Sequence, residues 1–135
     1  MKGFTLLEIL IVIVILGVVA GLAVPVFTSS IEQSRSNEAQ NNLNAIYMGE
    51  KIYAVNHSST YWLPPGGTTI PAINATLNLD LTAQYYTQNI QISAGGIPNS
   101  FTAQMARTVG GVTTTYCIDG DITSSGANNG KVYPC

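Results

Sequence analysis

The sequence predicts an α+β protein: a long N-terminal helix, apolar and membrane-spanning in its first half and amphipathic in its second, packed on a small antiparallel sheet of about three to four strands, with a C-terminal disulfide loop. Three observations predict it. Positions 9 to 31, 23 in a row, carry no charge. Apolar residues recur at helical spacing beyond that stretch. The last part of the chain alternates Thr-rich β-type segments with glycine turns and holds both cysteines.

The uncharged stretch comes first. Only 9% of the 135 residues are charged, 5 Lys+Arg and 7 Asp+Glu, where a soluble domain carries roughly 25%. Positions 9 to 27 hold only Ile, Leu, Val, Ala, Phe, Gly and Pro, and a helix needs about 20 such residues to cross the hydrocarbon layer. Lys2 precedes the run and a polar domain follows it, so the positive-inside tendency places the N-terminus in the cytoplasm and the domain outside. A secretory signal cut after Ala23 is the plain alternative. The short basic start, the acid at Glu8 and an apolar run longer than the usual signal core of about 7 to 15 residues argue against it.

Glu8 is the most informative residue. An ionised carboxylate at the edge of an apolar run is disfavoured by up to a few kcal/mol unless a cation meets it. Removal of a leader, residues 1–3, by cleavage after Gly3 would create such a cation: the new α-amino group on Phe4, from four residues back on the same helix or from a neighbouring molecule. A cation at a helix N-terminus opposes the macrodipole, which favours a nearby carboxylate further. A glutamate solvated by lipid headgroups is the simpler reading. Gly17 and Gly21 form a GxxxG pair suited to close helix packing, and Pro25 predicts a kink or local weakening between Gly21 and itself.

Beyond position 27 the pattern turns amphipathic. Ala39, Leu43, Ile46 and Tyr53 form one stripe, and Ala45, Met48, Ile52 and Val55 a second, so the helix continues to about His57. The segments are thus 4–27 for the apolar half, 28–58 for the amphipathic half and 59–135 for the globular domain. Within that domain Pro71, Ile73 and Leu77 predict a short helix. Segments 85–93, 101–108 and 112–118 predict antiparallel strands, with Phe101, Ala103 and Met105 facing the helix. Asp119-Gly120-Asp121 reads as a polar turn rather than a calcium loop. Because the domain lies outside the cytoplasm, Cys117 and Cys135 are expected to be bonded.

Bulk composition excludes several functions. A net charge of -2 supplies no basic excess for nucleic-acid backbones. Two cysteines and the single His57 make no metal site of the usual kind, and the common hydrolase, nucleotide and dinucleotide motifs are missing from the sequence. No enzyme activity, metal or cofactor is expected.

The segment Lys2-Gly3-Phe4-Thr5-Leu6-Leu7-Glu8 with its apolar helix resembles the class III leader and N-terminal motif of type IV pilins and the related pseudopilins, closely over about the first 30 residues. The resemblance implies cleavage after Gly3 by a prepilin peptidase, N-methylation of Phe4, and self-assembly into a helical homopolymer in which Glu8 neutralises a neighbouring subunit's N-terminus and sets register. It implies loss of helicity between Gly17 and Pro25 on assembly, assembly machinery in the inner membrane as a partner, and passage from single-pass inner-membrane protein to extracellular pilus. The disulfide loop resembles the variable surface loop of pilins. The implied function is that of a structural pilus subunit. The alternatives are a pseudopilin or minor pilin of a type II secretion or DNA-uptake system, and a membrane-anchored binding module.

Overall fold

The computed structural model describes residues 3–64, 68–86, 88–95, 99–121 and 128–135. These fall into two compact units, Met1–Ser34 and Arg35–Cys135. A single helix, α1 (Leu6–Asn56), supplies most of the first and the opening of the second. Its last residue is one short of the expected end. In the first unit every described side chain from position 3 to 30 is exposed.

The second unit buries one stripe of α1. Ala39, Leu43 and Ile46 are fully buried, and the face continues through Glu50 and Ala54. The expected stripe therefore holds, with three positions fully enclosed and Tyr53 half-buried and packed against the core, since seven residues are almost two full turns. Of the second expected stripe, Met48, Ile52 and Val55 are exposed.

A short helix, α2 (Ile70–Leu77), begins at Thr69, whose hydroxyl accepts the Ala72 N–H at 3.4 Å, and ends at Asn78 in the left-handed conformation. Pro71 sits in its first turn, where its missing N–H costs nothing. Ile73 and Leu77 carry it into the core. Asn74 fastens the exit, its side chain donating to the Leu81 carbonyl and accepting the Leu81 N–H.

The sheet is antiparallel with order β1-β2-β3-β4: β1 (Gln88–Ala94), β2 (Ser100–Val109), β3 (Val112–Asp121) and β4 (Val132–Pro134). Phe101, Ala103 and Met105 point inward and are fully buried beside Ile92 and Ile118, as the alternation predicts. Gly110 and Gly111, both at positive φ, close the hairpin between Val109 and Val112, a two-residue turn that favours glycine.

Two expectations need correction, and a third, the count of three to four strands, is met at four. The first strand begins three residues later than expected because the Gln84 and Tyr85 N–H groups both donate to Glu38 Oε1, at 2.7 and 3.0 Å, and so leave the ladder. Asp119-Gly120-Asp121 is strand rather than turn: it pairs with Ser100, Phe101 and Thr102 across β2. Residues 132–134 add a fourth strand inside the expected disulfide loop, too short for a periodicity to announce it.

Gly120 follows from the same pairing, since a Cβ there would overlap the Phe101 ring. Gly120→Ala is expected to destabilise the domain by about 1 to 3 kcal/mol through overpacking, read as a lowered melting temperature with the disulfide intact.

Candidate functional site

The candidate site is the start of α1. The helix begins at Leu6 because Thr5 caps it: the Thr5 carbonyl accepts the Glu8 and Ile9 N–H groups at 3.1 and 3.3 Å, and the Thr5 hydroxyl accepts the Glu8 N–H at 3.3 Å. Thr5-Leu6-Leu7-Glu8 is the capping-box pattern, in which an N3 glutamate favours the helix start and sits well in the dipole. Charge alone singles out Glu8 in the sequence, whereas Thr5 is legible only through the S/T-x-x-E spacing.

Phe4 lies one residue before the cap and is exposed. Helical geometry therefore does not set a pairing between its nitrogen and Glu8 on the same chain. Gly3 belongs to the described residues, whereas Met1 and Lys2 lie outside them.

Gly17 and Gly21 sit four apart on the exposed helix, with open space where each Cβ would be. The helix runs continuously from Leu6 to Asn56, through position 25; the Pro25 side chain lies outside the described residues. In this chain, α1 is long and apolar enough to cross a membrane.

The second feature with a chemical identity is the Cys117–Cys135 disulfide, whose Cα atoms are 5.8 Å apart. It joins the centre of β3 to the chain end beside β4. Polar contacts brace this loop internally and hold it to the rest of its unit. Asp119 accepts from the Thr102 hydroxyl and the Tyr133 phenol, each at 2.7 Å. Lys51 Nζ donates to the Asp121 carbonyl at 2.7 Å, and the Tyr47 hydroxyl donates to Asn129 Oδ1 at 3.3 Å. Burial, reinforced by the bond to Asp119 and its charge, pushes the Tyr133 phenol up to about 12. The bond follows the expectation drawn from the domain's placement outside the cytoplasm; nothing in the sequence announces that Tyr47 and Lys51 of α1 hold the loop.

Replacing both Cys117 and Cys135 with serine is expected to cost roughly 3 kcal/mol for a loop of this length in the chain-entropy model. Urea unfolding of the full chain in detergent checks it, with the midpoint falling in the variant and in the reduced wild type alike.

Among the described residues no group of three His, Cys, Asp or Glu side chains could hold a metal ion. Two carboxyl residues are buried among the described residues, Asp121 at the end of β3 and Glu50, which is fully enclosed. Its Oε2 accepts the Trp62 N–H at 2.9 Å, and its Oε1 has no hydrogen-bond partner among the described residues. Burial pushes this carboxyl up to about 7, against the opposing pull of the Trp62 N–H.

Residues 1–24 match the Prokaryotic N-terminal methylation motif. The chain is 40% identical over 52 residues to the type IV major pilin protein PilA of Myxococcus xanthus, covering 38% of this chain and 24% of that protein. It is 32% identical over 107 residues to the fimbrial protein EcpC of Eikenella corrodens, covering 79% of this chain and 64% of that one. The chain thus spans less than two thirds of either relative's length. No solved structure gives a significant match. Motif and relatives together support a type IV pilin-like protein. Both relatives are named as pilin or fimbrial proteins rather than as enzymes.

Proposed function

We propose that the chain is the structural subunit of a type IV pilus filament. It is inserted in the inner membrane with its N-terminus in the cytoplasm, cut after Gly3 by a prepilin peptidase and methylated on Phe4. The assembly machinery then draws it out of the membrane into a helical homopolymer on the cell surface. One observation carries the reading: an apolar helical segment whose described side chains from position 9 to 27 are all exposed, headed by Glu8 in the Thr5-capped first turn. In lipid the segment is satisfied by hydrocarbon, and outside lipid only copies of itself offer an equivalent surface. Glu8 then meets the Phe4 amine of a neighbouring subunit. Gly17 and Gly21 admit close helix packing, and the span from Gly17 to Pro25 can extend when lipid is exchanged for protein.

The bonded, polar 117–135 loop supports a surface filament over the short periplasmic filament of a pseudopilin. Intact mass of sheared fibres tests the proposal. The expected subunit lacks Met1 to Gly3 and carries one added methyl group; a subunit retaining Met1 overturns it. An abundant surface preparation is expected for a major pilin, and its absence alongside normal processing selects the pseudopilin or minor-pilin alternative.

A further inference from the structure

Asn129-Gly130 is the only Asn-Gly pair in the sequence. In an unconstrained chain this pair is chemically unstable. The glycine's backbone nitrogen, unhindered by a neighbouring Cβ, attacks the asparagine Cγ. A new N–Cγ bond forms, the bond from Cγ to the side-chain nitrogen breaks, and ammonia leaves to give a five-membered succinimide. Water then opens either of the ring's C–N bonds, leaving aspartate or isoaspartate. No electrons are exchanged and water is the only co-reactant.

In the folded chain both reacting groups are engaged. The Gly130 N–H donates to the Asp119 carbonyl of β3 at 2.8 Å. Asn129 Oδ1 accepts from the Tyr47 hydroxyl of α1 and from the Asp121 N–H, each at 3.3 Å. Gly130 is held at a φ of 70°, against the Tyr47 ring. The attack requires the Gly130 nitrogen to give up its acceptor and the Asn129 side chain to rotate away from two donors. Tyr47 belongs to α1, and Asp119 and Asp121 to the end of β3 inside the same disulfide loop, so it is the 128–130 segment that is docked on them.

We propose that Asn129 is a latent deamidation site, silent while the 128–130 segment of the disulfide loop is docked on α1 and β3 and reactive once that segment lifts. The product makes lifting hard to reverse. Either outcome adds a carboxylate beside Asp119 and Asp121, and isoaspartate also lengthens the backbone where Gly130 must reach the Asp119 carbonyl. Subunits whose loop has opened are thereby chemically marked.

The test incubates the full chain in detergent, disulfide intact, in mildly alkaline buffer, as native protein, as native Tyr47→Phe and unfolded in urea. Peptide mass mapping follows the gain when an amide becomes an acid, and isoaspartate is scored at the same position. Deamidation at Asn129 is expected to run at least about tenfold faster in urea than in the native chain, with Tyr47→Phe between them, as for any reaction gated by local opening. Native and unfolded rates within about twofold of each other overturn the proposal. Preferential modification of Asn128 in the unfolded chain overturns it too. The urea arm does not depend on whether Tyr47→Phe folds.

Discussion

Glu8→Lys is expected to abolish filament yield while leaving the subunit in the membrane at wild-type levels. Under the proposed assembly each Glu8 meets a neighbouring Phe4 amine. At an effective dielectric of about 20, unit charges 4 Å apart attract by roughly 4 kcal/mol, and lysine turns that into repulsion at every interface. Glu8→Gln loses the charge but keeps an acceptor and, with an amide side chain at N3, keeps the capping box closed from Thr5; its yield should fall less. Thr5→Val removes the hydroxyl that accepts the Glu8 N–H and leaves the charge, so it separates cap from ion pair. Sheared-fibre yield normalised to membrane-bound subunit reads all three. Unimpaired fibres from both Glu8 variants would remove the electrostatic account, and a Thr5→Val loss as deep as Glu8→Lys would assign the effect to the helix start.

Glu50→Gln is expected to make the domain more stable at pH 8 and to flatten its stability between pH 4.5 and 7. The fully buried carboxyl is pushed from 4.5 up to about 7, so the folded chain holds the proton more tightly than the unfolded chain. The stability this adds is complete below about pH 4.5, declines as pH rises and is lost above about 7, a total of up to roughly 3 kcal/mol. The substituted amide would keep an oxygen for the Trp62 N–H and carry no charge at any pH. Melting temperatures of the full chain in detergent at pH 4.5, 6 and 8 measure the effect. A wild-type stability that stays level or climbs from pH 4.5 to 8, with an unchanged profile in the variant, would show that Glu50 stays ionised in the fold.

Glu50 also marks the limit of reading this fold from its sequence. Ala39, Leu43 and Ile46 announce the inner face of α1 by spacing, and the same spacing passes through 50 and 54. A charged residue type at position 50 reads as exposed, and only the return of the chain to place the Trp62 N–H against it makes burial possible. The alternation of Phe101, Ala103 and Met105 announces β2, because one face of the strand meets the helix. By contrast, Asp119-Gly120-Asp121 has turn composition and is strand. Its carboxylate at 119 is satisfied by Thr102 and Tyr133 on neighbouring strands, and its glycine makes room for Phe101. Neither partner is near in sequence.

At the candidate site the division runs the same way. The uncharged span, Glu8, the GxxxG pair and the placement of two cysteines in one closing segment are properties of residue type and local order, and a helix in lipid answers to little else. So the sequence alone determined the α1 segment, its membrane-crossing length and the α+β class. Tertiary structure decided where Glu38 diverts the first strand, how Tyr47 and Lys51 fasten the disulfide loop, and that Glu50 is buried. Those depend on hydrogen bonds and close packing between residues 12 to 82 positions apart, and periodicity, a local property, carries no record of such pairings.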